Sequence, residues 1–313
     1  MNETREAILE AIADGPVSGP DLATDLDVSR AAIWKHIDEL RDAAFEIESG
    51  PHGYELLDVS AYNGPSIEYE LEAPFSVEYH DAVESTNDLA RERAVHGATD
   101  VAVVANEQRG SRGRLEREWS SPAGGIWISL VTRPAVAPAR APLYTLAAAV
   151  ATARIAREAG VDAQIKWPND VVVPVGDDGD YRKLAGILTE MEGETDRIDW
   201  LVVGIGINAN LDASDLPDGA TSVRDETGDD VDRRRFVQRL VEEFDRARGD
   251  LESVVSAWRE LALTIGQRVR VERATGELVG DAVDVTETGA LVLETDDGRT
   301  TVSAGDCEHL RPT

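Results

Sequence analysis

The sequence predicts an α+β protein in three parts: a winged helix-turn-helix over residues 1–62, a mixed α/β domain over 63–264 and a small β-barrel over 265–313. Three observations predict it. Helical spacing gives way to two-residue alternation within the first part, strands and helices interleave through the middle, and the end is a run of short strands separated by Gly- or Asp-rich turns.

In the first part Ile8, Leu9 and Ile12 mark a helix, Gly15-Pro16 breaks it, and residues 20–26 form a short second one. Asp27-Val28-Ser29 supplies a turn and an N-cap, since a serine hydroxyl accepts from a free first-turn amide. A third helix follows, with Ala32, Ile33, His36, Ile37 and Leu40 at helical spacing. Alternation over 45–48 and 54–57 around Gly50-Pro51-His52-Gly53 predicts a two-stranded wing. A connector at 62–65 leads to the middle region, with strands over 101–105, 126–131, 171–173 and 200–207. Helices are predicted there over 87–95, 143–159 and 233–248, the last placing Phe236, Val237, Leu240, Val241 and Phe244 on one face. Beyond Gly266 the expected strands are 268–273, 281–286, 290–294 and 299–303, a pattern that suits a small barrel. Gly176 to Asp180 reads as an acidic surface loop.

Lys and Arg number 31 against 61 Asp and Glu, a formal charge of −30. Because the Debye length falls to roughly 3 Å at 1 M salt, such self-repulsion points to a cytoplasm of very high ionic strength, as in salt-loving microbes. A disordered acidic chain is excluded, because 42% of residues are hydrophobic and fall in periodic segments. Cys307 is the only cysteine, so no intrachain disulfide forms and a reducing, cytoplasmic location fits. Neither a signal peptide nor a membrane-spanning stretch is expected, and five scattered histidines without ligand spacing predict no protein-only metal cage.

Against this acidic background, Gln108 to Trp119 places Arg109, Arg112, Arg114 and Arg117 around two glycines. Guanidinium forks suit phosphate or carboxylate, and glycine lets the backbone approach a ligand. Ser85-Thr86-Asn87 stands where a strand gives way to a helix, with Ser85 and Asp88 spaced as a cap. Lys166-Trp167-Pro168-Asn169-Asp170 clusters opposite charges and an amide just before a strand. Lys183 opens K-L-A-G-I-L-T-E, and Gly204-Ile205-Gly206-Ile207-Asn208 ends another strand with two glycines and an amide.

Taken in order, S-T-N, the Gln and arginine–glycine loop with its Trp, K-W-P-N-D, K-L-A-G-I-L and G-I-G-I-N closely resemble the biotin–protein ligases, in the bifunctional form that doubles as the biotin operon repressor. The resemblance covers nearly the whole chain, and residues 29–42 likewise resemble the repressors' recognition-helix region. It implies a catalytic domain of the biotin/lipoate ligase type and an SH3-like C-terminal barrel. It also implies that Ser85, Thr86, Asn87 and Gln108 line a biotin pocket, that Arg112, Gly113 and Arg114 fold over the intermediate, and that Lys183 contacts the carboxylate and the adenylate linkage. Trp127, Lys166, Asn169 and Asn208 fall at the implied nucleotide site, and Asp170 helps activate the acceptor amine. The implied substrates are biotin and ATP with Mg²⁺. The implied partners are a biotin carboxyl carrier domain, operator DNA and a second copy in a homodimer, with no membrane. Two departures stand out, Ser111 where the loop usually opens with glycine and Glu116 in place of a later glycine.

The implied chemistry agrees with the residue types. ATP turns a poorly acylating carboxylate into an acyl-adenylate, and a lysine then displaces AMP. Arg112, Arg114 and Lys183 are expected to stabilise the phosphate charge. A free lysine has a pKa of about 10.4, so a carboxylate such as Asp170 is expected to orient the amine and take its proton. Met1 to Asp58 holds four basic against fourteen acidic residues, which disfavours phosphate contacts. Even so, Ser29, Arg30, Trp34 and Lys35 cluster at the start of the third helix, where base edges would be met. A lipoate–protein ligase, and a metabolite-responsive repressor with little ligase activity, remain as alternatives.

Overall fold

Local capping and burial set the first elements. In the computed structural model, which describes residues 1–113, 119–176, 180–273 and 275–310, the chain divides into two compact units. The first comprises Met1–Glu72 and Asp232–Gln238, the second Ala73–Val231 and Arg239–Thr313.

In the first unit Asn2, Ser18 and Ser29 cap α1 (Glu3–Ala13), α2 (Gly19–Asp25) and α3 (Arg30–Asp42). Ile8, Leu9, Ile12, Leu22, Ile33, Ile37 and Leu40 close over one core. The wing, β1 (Glu46–Gly50) and β2 (Gly53–Asp58), is antiparallel as the alternation predicts. Arg41 fixes it to α3: its Nε and Nη2 donate to the Ile47 carbonyl at 3.0 and 2.8 Å, and Nη2 also reaches Ser49 at 2.7 Å. This unit runs on past the connector. It takes in α4 (Gly64–Glu68) and Tyr69, whose ring meets Phe45 edge-on at 5.8 Å.

The second unit is built on a seven-stranded sheet in the order β3-β4-β5-β9-β8-β7-β6. Its strands are β3 (Ser76–Val83), β4 (Val101–Gln108), β5 (Ile126–Thr132), β6 (Gln164–Lys166), β7 (Asp170–Val175), β8 (Asp180–Gly193) and β9 (Ile198–Ile207). Only β3 and β4 are parallel. Every residue of β5 is buried, so the middle of the sheet is covered on both faces. Between β3 and β4 lies α5 (Thr86–Val95), and α6 (Pro142–Glu158) joins β5 to β6. After β9 come α7 (Val223–Thr227), α8 (Arg233–Gly249), whose residues up to Gln238 belong to the first unit, and α9 (Leu251–Leu261).

A second, antiparallel sheet follows in the order β13-β12-β11-β10-β14, made of β10 (Arg268–Arg273), β11 (Gly276–Val285), β12 (Leu291–Thr295), β13 (Gly298–Val302) and β14 (Asp306–His309). It is tied to the K-W-P-N-D turn: the Trp167 amide donates to Thr264 Oγ1 at 2.9 Å and its indole Nε1 to the Gly289 carbonyl at 3.0 Å.

The sequence reading overlooked several elements. β3 and β14 mix charged and apolar residues in short runs, β6 has only three residues, and the turn at Gly276 joins β10 directly to β11. In α9 the helical spacing of Leu251, Val254, Val255, Trp258 and Leu261 is a signal the sequence does carry. Within the acidic loop, Asp177, Asp178 and Gly179 lie outside the described residues. Among the described residues no helix is long and apolar enough to cross a membrane.

Cys307 is buried in β14. Its burial, reinforced by Asp306 and Asp170 against the opposing pull of Lys166, pushes the thiol up to about 11. Only ~0.1% is then thiolate at pH 8. A disulfide reagent is expected to label Cys307 slowly in the native protein and fully in denaturant. Fast native labelling would mean that this sheet is not packed as described.

Candidate active site

The site gathers where side chains are missing from the centre of the large sheet. Gly186 on β8 and Gly204 and Gly206 on β9 line one cavity of about 290 Å³. Their neighbours fill the space a Cβ would take. A Cβ on Gly204 would come within 2.1 Å of Asn87 Oδ1, one on Gly206 within 3.0 Å of Trp119 Nε1, and one on Gly186 within 3.2 Å of Trp119 Cζ3.

The polar wall comes from the start of α5 and the end of β4. Ser85 caps α5, its Oγ accepting from the Asp88 amide at 3.3 Å, so the next two residues face inward from a fixed turn. The Thr86 amide and hydroxyl donate to Gln108 Oε1 at 2.7 and 3.0 Å. Ser129 Oγ lies 2.8 Å from Thr86 Oγ1 and 2.6 Å from Asn87 Oδ1, while Asn87 Nδ2 donates to Glu190 at 3.0 Å. Both amide side chains are thereby held in one orientation. Ser129 is not anticipated from the sequence, although a serine in the middle of the apolar run I-W-I-S-L-V-T, wholly buried in the structure, is the available signal.

The charged wall comes from the β6–β7 hairpin and β8. Lys183 Nζ lies 2.7 Å from Asp170 Oδ1 and 4.9 Å from the centre of the Trp119 ring. Asp170 also faces the buried Lys166 at 4.0 Å. Burial opposes the Lys166 charge, yet Asp170, Tyr181 and Cys307 outweigh it and raise its pKa, so the lysine stays protonated at neutral pH. Asn169 is pinned to β8, its Nδ2 donating to the Ile187 carbonyl at 2.8 Å.

The structure brings Ser85, Thr86, Asn87, Gln108, Arg112, Gly113, Asn169, Asp170 and Lys183 to this first cavity. A second cavity of about 500 Å³ shares Trp119, Asp170 and Lys183 with it and adds Lys166 and Asn208. Asn208 is occupied structurally: its Nδ2 donates to the Thr221 carbonyl at 2.9 Å, and its amide to the Leu184 carbonyl at 3.0 Å. It therefore ties the Lys183–Leu184 segment to the loop before α7. Trp127 does not reach either cavity. Its indole is fully buried, packs over Gly125 and donates to the Pro122 carbonyl at 3.0 Å, which leaves the ring no open face at the site. Arg114, Glu116 and Arg117 lie outside the described residues.

Two contributors were not expected from the sequence. Asp306 of β14 lines both cavities, and Pro217 closes them from the loop before α7. One acid among 61 gives no signal of its own. Among the described residues no cluster of His, Cys, Asp and Glu could hold a metal ion.

In the first unit, Ser29 caps α3 while Trp34 stands 60% exposed, too open to be a packing residue. The Lys35 side chain is exposed as well, reaching Glu39 at 3.6 Å.

Residues 79–208 match the Biotin/lipoate A/B protein ligase family, 264–310 the Biotin protein ligase C terminal domain, and 4–55 an HTH domain. The chain is 35% identical over 312 residues to the Bifunctional ligase/repressor BirA of Bacillus subtilis, covering 93% of each. It is 31% identical to the protein of the same name from Escherichia coli, covering 92% of each. Among solved structures, the biotin protein ligase from Aquifex aeolicus in complex with biotin and ATP shares the fold at a TM-score of 0.63 and 24% identity, over 75% of this chain and 99% of that one.

The glycine floor is open to a direct test. A Gly204→Ala substitution is expected to drive the Asn87 side chain off Ser129, shifting its side-chain amide resonance and removing roughly 1 kcal/mol of stability per lost hydrogen bond. An unmoved Asn87 resonance would show that the contact is not tight.

Proposed function

The chain belongs to the biotin–protein ligases, in the form that joins an N-terminal helix-turn-helix to the ligase, and on that premise we propose that it activates biotin with ATP and transfers the biotinyl group to a lysine of a carrier domain. One observation carries this reading: the fixed amides of Thr86, Asn87 and Gln108 and the Lys183–Asp170 pair line a single cavity.

The roles follow from position. Oriented hydrogen-bonding groups from Ser85 to Asn87 and from Gln108 suit the polar head of biotin. Lys183 is placed for its carboxylate. That carboxylate attacks the α-phosphorus of ATP, the bond to the β-phosphate breaks, and pyrophosphate leaves. Negative charge grows on phosphate oxygens as this happens, and Lys183 with Arg112, and Arg114 in the same loop, answer it. Mg²⁺ enters with ATP as part of the substrate. Lys166 and Asn208 build the adjoining nucleotide side, Asn208 by holding Lys183 in place, and Asn169 meets the nucleotide from the first cavity. In the second step the acceptor amine attacks the acyl carbon, the bond to AMP breaks, and Asp170 orients the amine and takes its proton.

The winged helix is proposed to bind operator DNA through Arg30, Trp34 and Lys35, with Ser29 capping α3 and a homodimer reading two half-sites. Its excess of acids predicts a salt slope shallower than phosphate contacts alone would give.

The test uses the purified protein in concentrated KCl with ATP, Mg²⁺ and a carrier domain, offered labelled biotin or lipoate. Biotin transfer is expected, with kcat falling about 10²-fold or more in Lys183→Ala. No transfer would overturn the reading, and lipoate transfer instead would select the sister activity. For the DNA reading, selection from random duplexes in the presence of biotin and ATP is expected to enrich an inverted repeat. A pool that stays unenriched removes the repressor role.

A further inference from the structure

The base of the arginine–glycine loop continues the Thr86–Gln108 wall into a hydrogen-bond chain through Ser121 and Ser111, which the reaction above does not use. The Thr86 hydroxyl donates to Gln108 Oε1, and Gln108 Nε2 donates to Ser121 Oγ at 3.1 Å. Ser121 Oγ and Ser111 Oγ are 2.7 Å apart, and the Ser111 hydroxyl donates to the Trp119 carbonyl at 2.6 Å. Because the Ser111 proton goes to Trp119, the proton between the two serines belongs to Ser121. Every link then points the same way, from the cavity wall to the neck of the loop, an arrangement in which each bond polarises the next. Two backbone bonds close the same neck, Gln108 N to Ser121 O at 2.9 Å and Trp119 N to Ser111 O at 3.2 Å.

The chain ends on the Trp119 carbonyl, the backbone that carries the indole. The indole lines both cavities, lies over Gly186 and Gly206, and has Lys183 Nζ 4.9 Å from its centre. Its Nε1 is buried with no hydrogen-bond partner among the described residues. Among the described residues no polar bond of the indole holds it in place; packing, Lys183 and the backbone that Ser111 grips do so. Glycine at 111 would leave Ser121 without an acceptor and the Trp119 carbonyl without this donor.

We infer that Ser111 is a positioning residue that couples the Gln108 wall of the pocket to Trp119 and so holds the indole as the partition between the two cavities, slowing escape of the acyl-adenylate. The escape rate rests on the ligase reading; the hold on Trp119 does not.

The test therefore has two arms, in Ser111→Ala, Ser111→Gly and Ser111→Thr. In ligand-free protein, acrylamide quenching of the Trp119 fluorescence, obtained by difference from Trp119→Phe, is expected to rise in the Ala and Gly variants and return to the parent value in Thr. In the second arm, biotinyl-adenylate release is expected to quicken by about tenfold in Ala and Gly, the equivalent of one or two ordinary hydrogen bonds. Melting temperature is read alongside, so that a general loss of fold is seen as such. Parent values in Ser111→Ala overturn the inference, as does a change confined to Ser111→Gly, which would assign the effect to backbone freedom. A parent protein that makes no biotinyl-adenylate overturns the ligase reading, and the quenching arm then decides the hold on Trp119 by itself.

Discussion

Three missing side chains organise this protein. Central strands covered on both faces normally fill those faces with large apolar groups, and β5 does so along its whole length. On β8 and β9, Gly186, Gly204 and Gly206 leave a gap instead. Each glycine in a strand interior costs roughly 0.5–1 kcal/mol relative to alanine, so the gap is unfavourable to the sheet itself. It is offset by what enters it: Asn87 packs against Gly204, and Trp119 against Gly186 and Gly206. The amide wall, the indole and Lys183 all take their places from that floor.

This explains which parts of the site could be read from the sequence. The motifs are legible because each sits at an element boundary: Ser85 caps α5, Gln108 ends β4, and Lys166 to Asp170 turn β6 into β7. At such points residue type is dictated locally. The glycines of G-I-G-I-N were equally visible, but their purpose depends on Asn87 and Trp119, which lie far off in the chain. Which way Trp127 faces is not legible for the complementary reason. A strand buried on both faces has no alternation, so nothing in I-W-I-S-L-V-T says which way the indole points. Asp306 arrives from a separate sheet, and local spacing cannot anticipate a contact of that kind.

The same limit applied to the fold. The winged helix was readable element by element because its core residues recur at helical spacing and its wing alternates. Its extension through α4 to Tyr69 was not, since that depends on Phe45 meeting Tyr69, and on Gln238 donating to the Ile67 and Tyr69 carbonyls at 3.0 and 2.5 Å. Long-range pairs of this kind leave no periodic trace.

Charge imposes the remaining constraint. A polyanionic substrate must approach a chain of formal charge −30, in which the cations at the site are already engaged: Lys183 and Lys166 both face Asp170. Glu272, Asp306 and Glu308 add carboxylates to the second cavity. Between exposed charges, repulsion acts over about 10 Å at 0.1 M salt and only about 3 Å at 1 M. Dilute salt therefore lets the whole acidic surface oppose an incoming phosphate, whereas concentrated salt leaves only the nearest groups to act. Among those nearest groups the buried lysine matters most, because screening reaches a buried charge least. Burial works against the Lys166 charge, and the Asp170 carboxylate 4.0 Å away leads the groups that outweigh it. Lys166 therefore keeps its charge beside Asp170, while repulsion from the more distant acidic surface fades as salt rises.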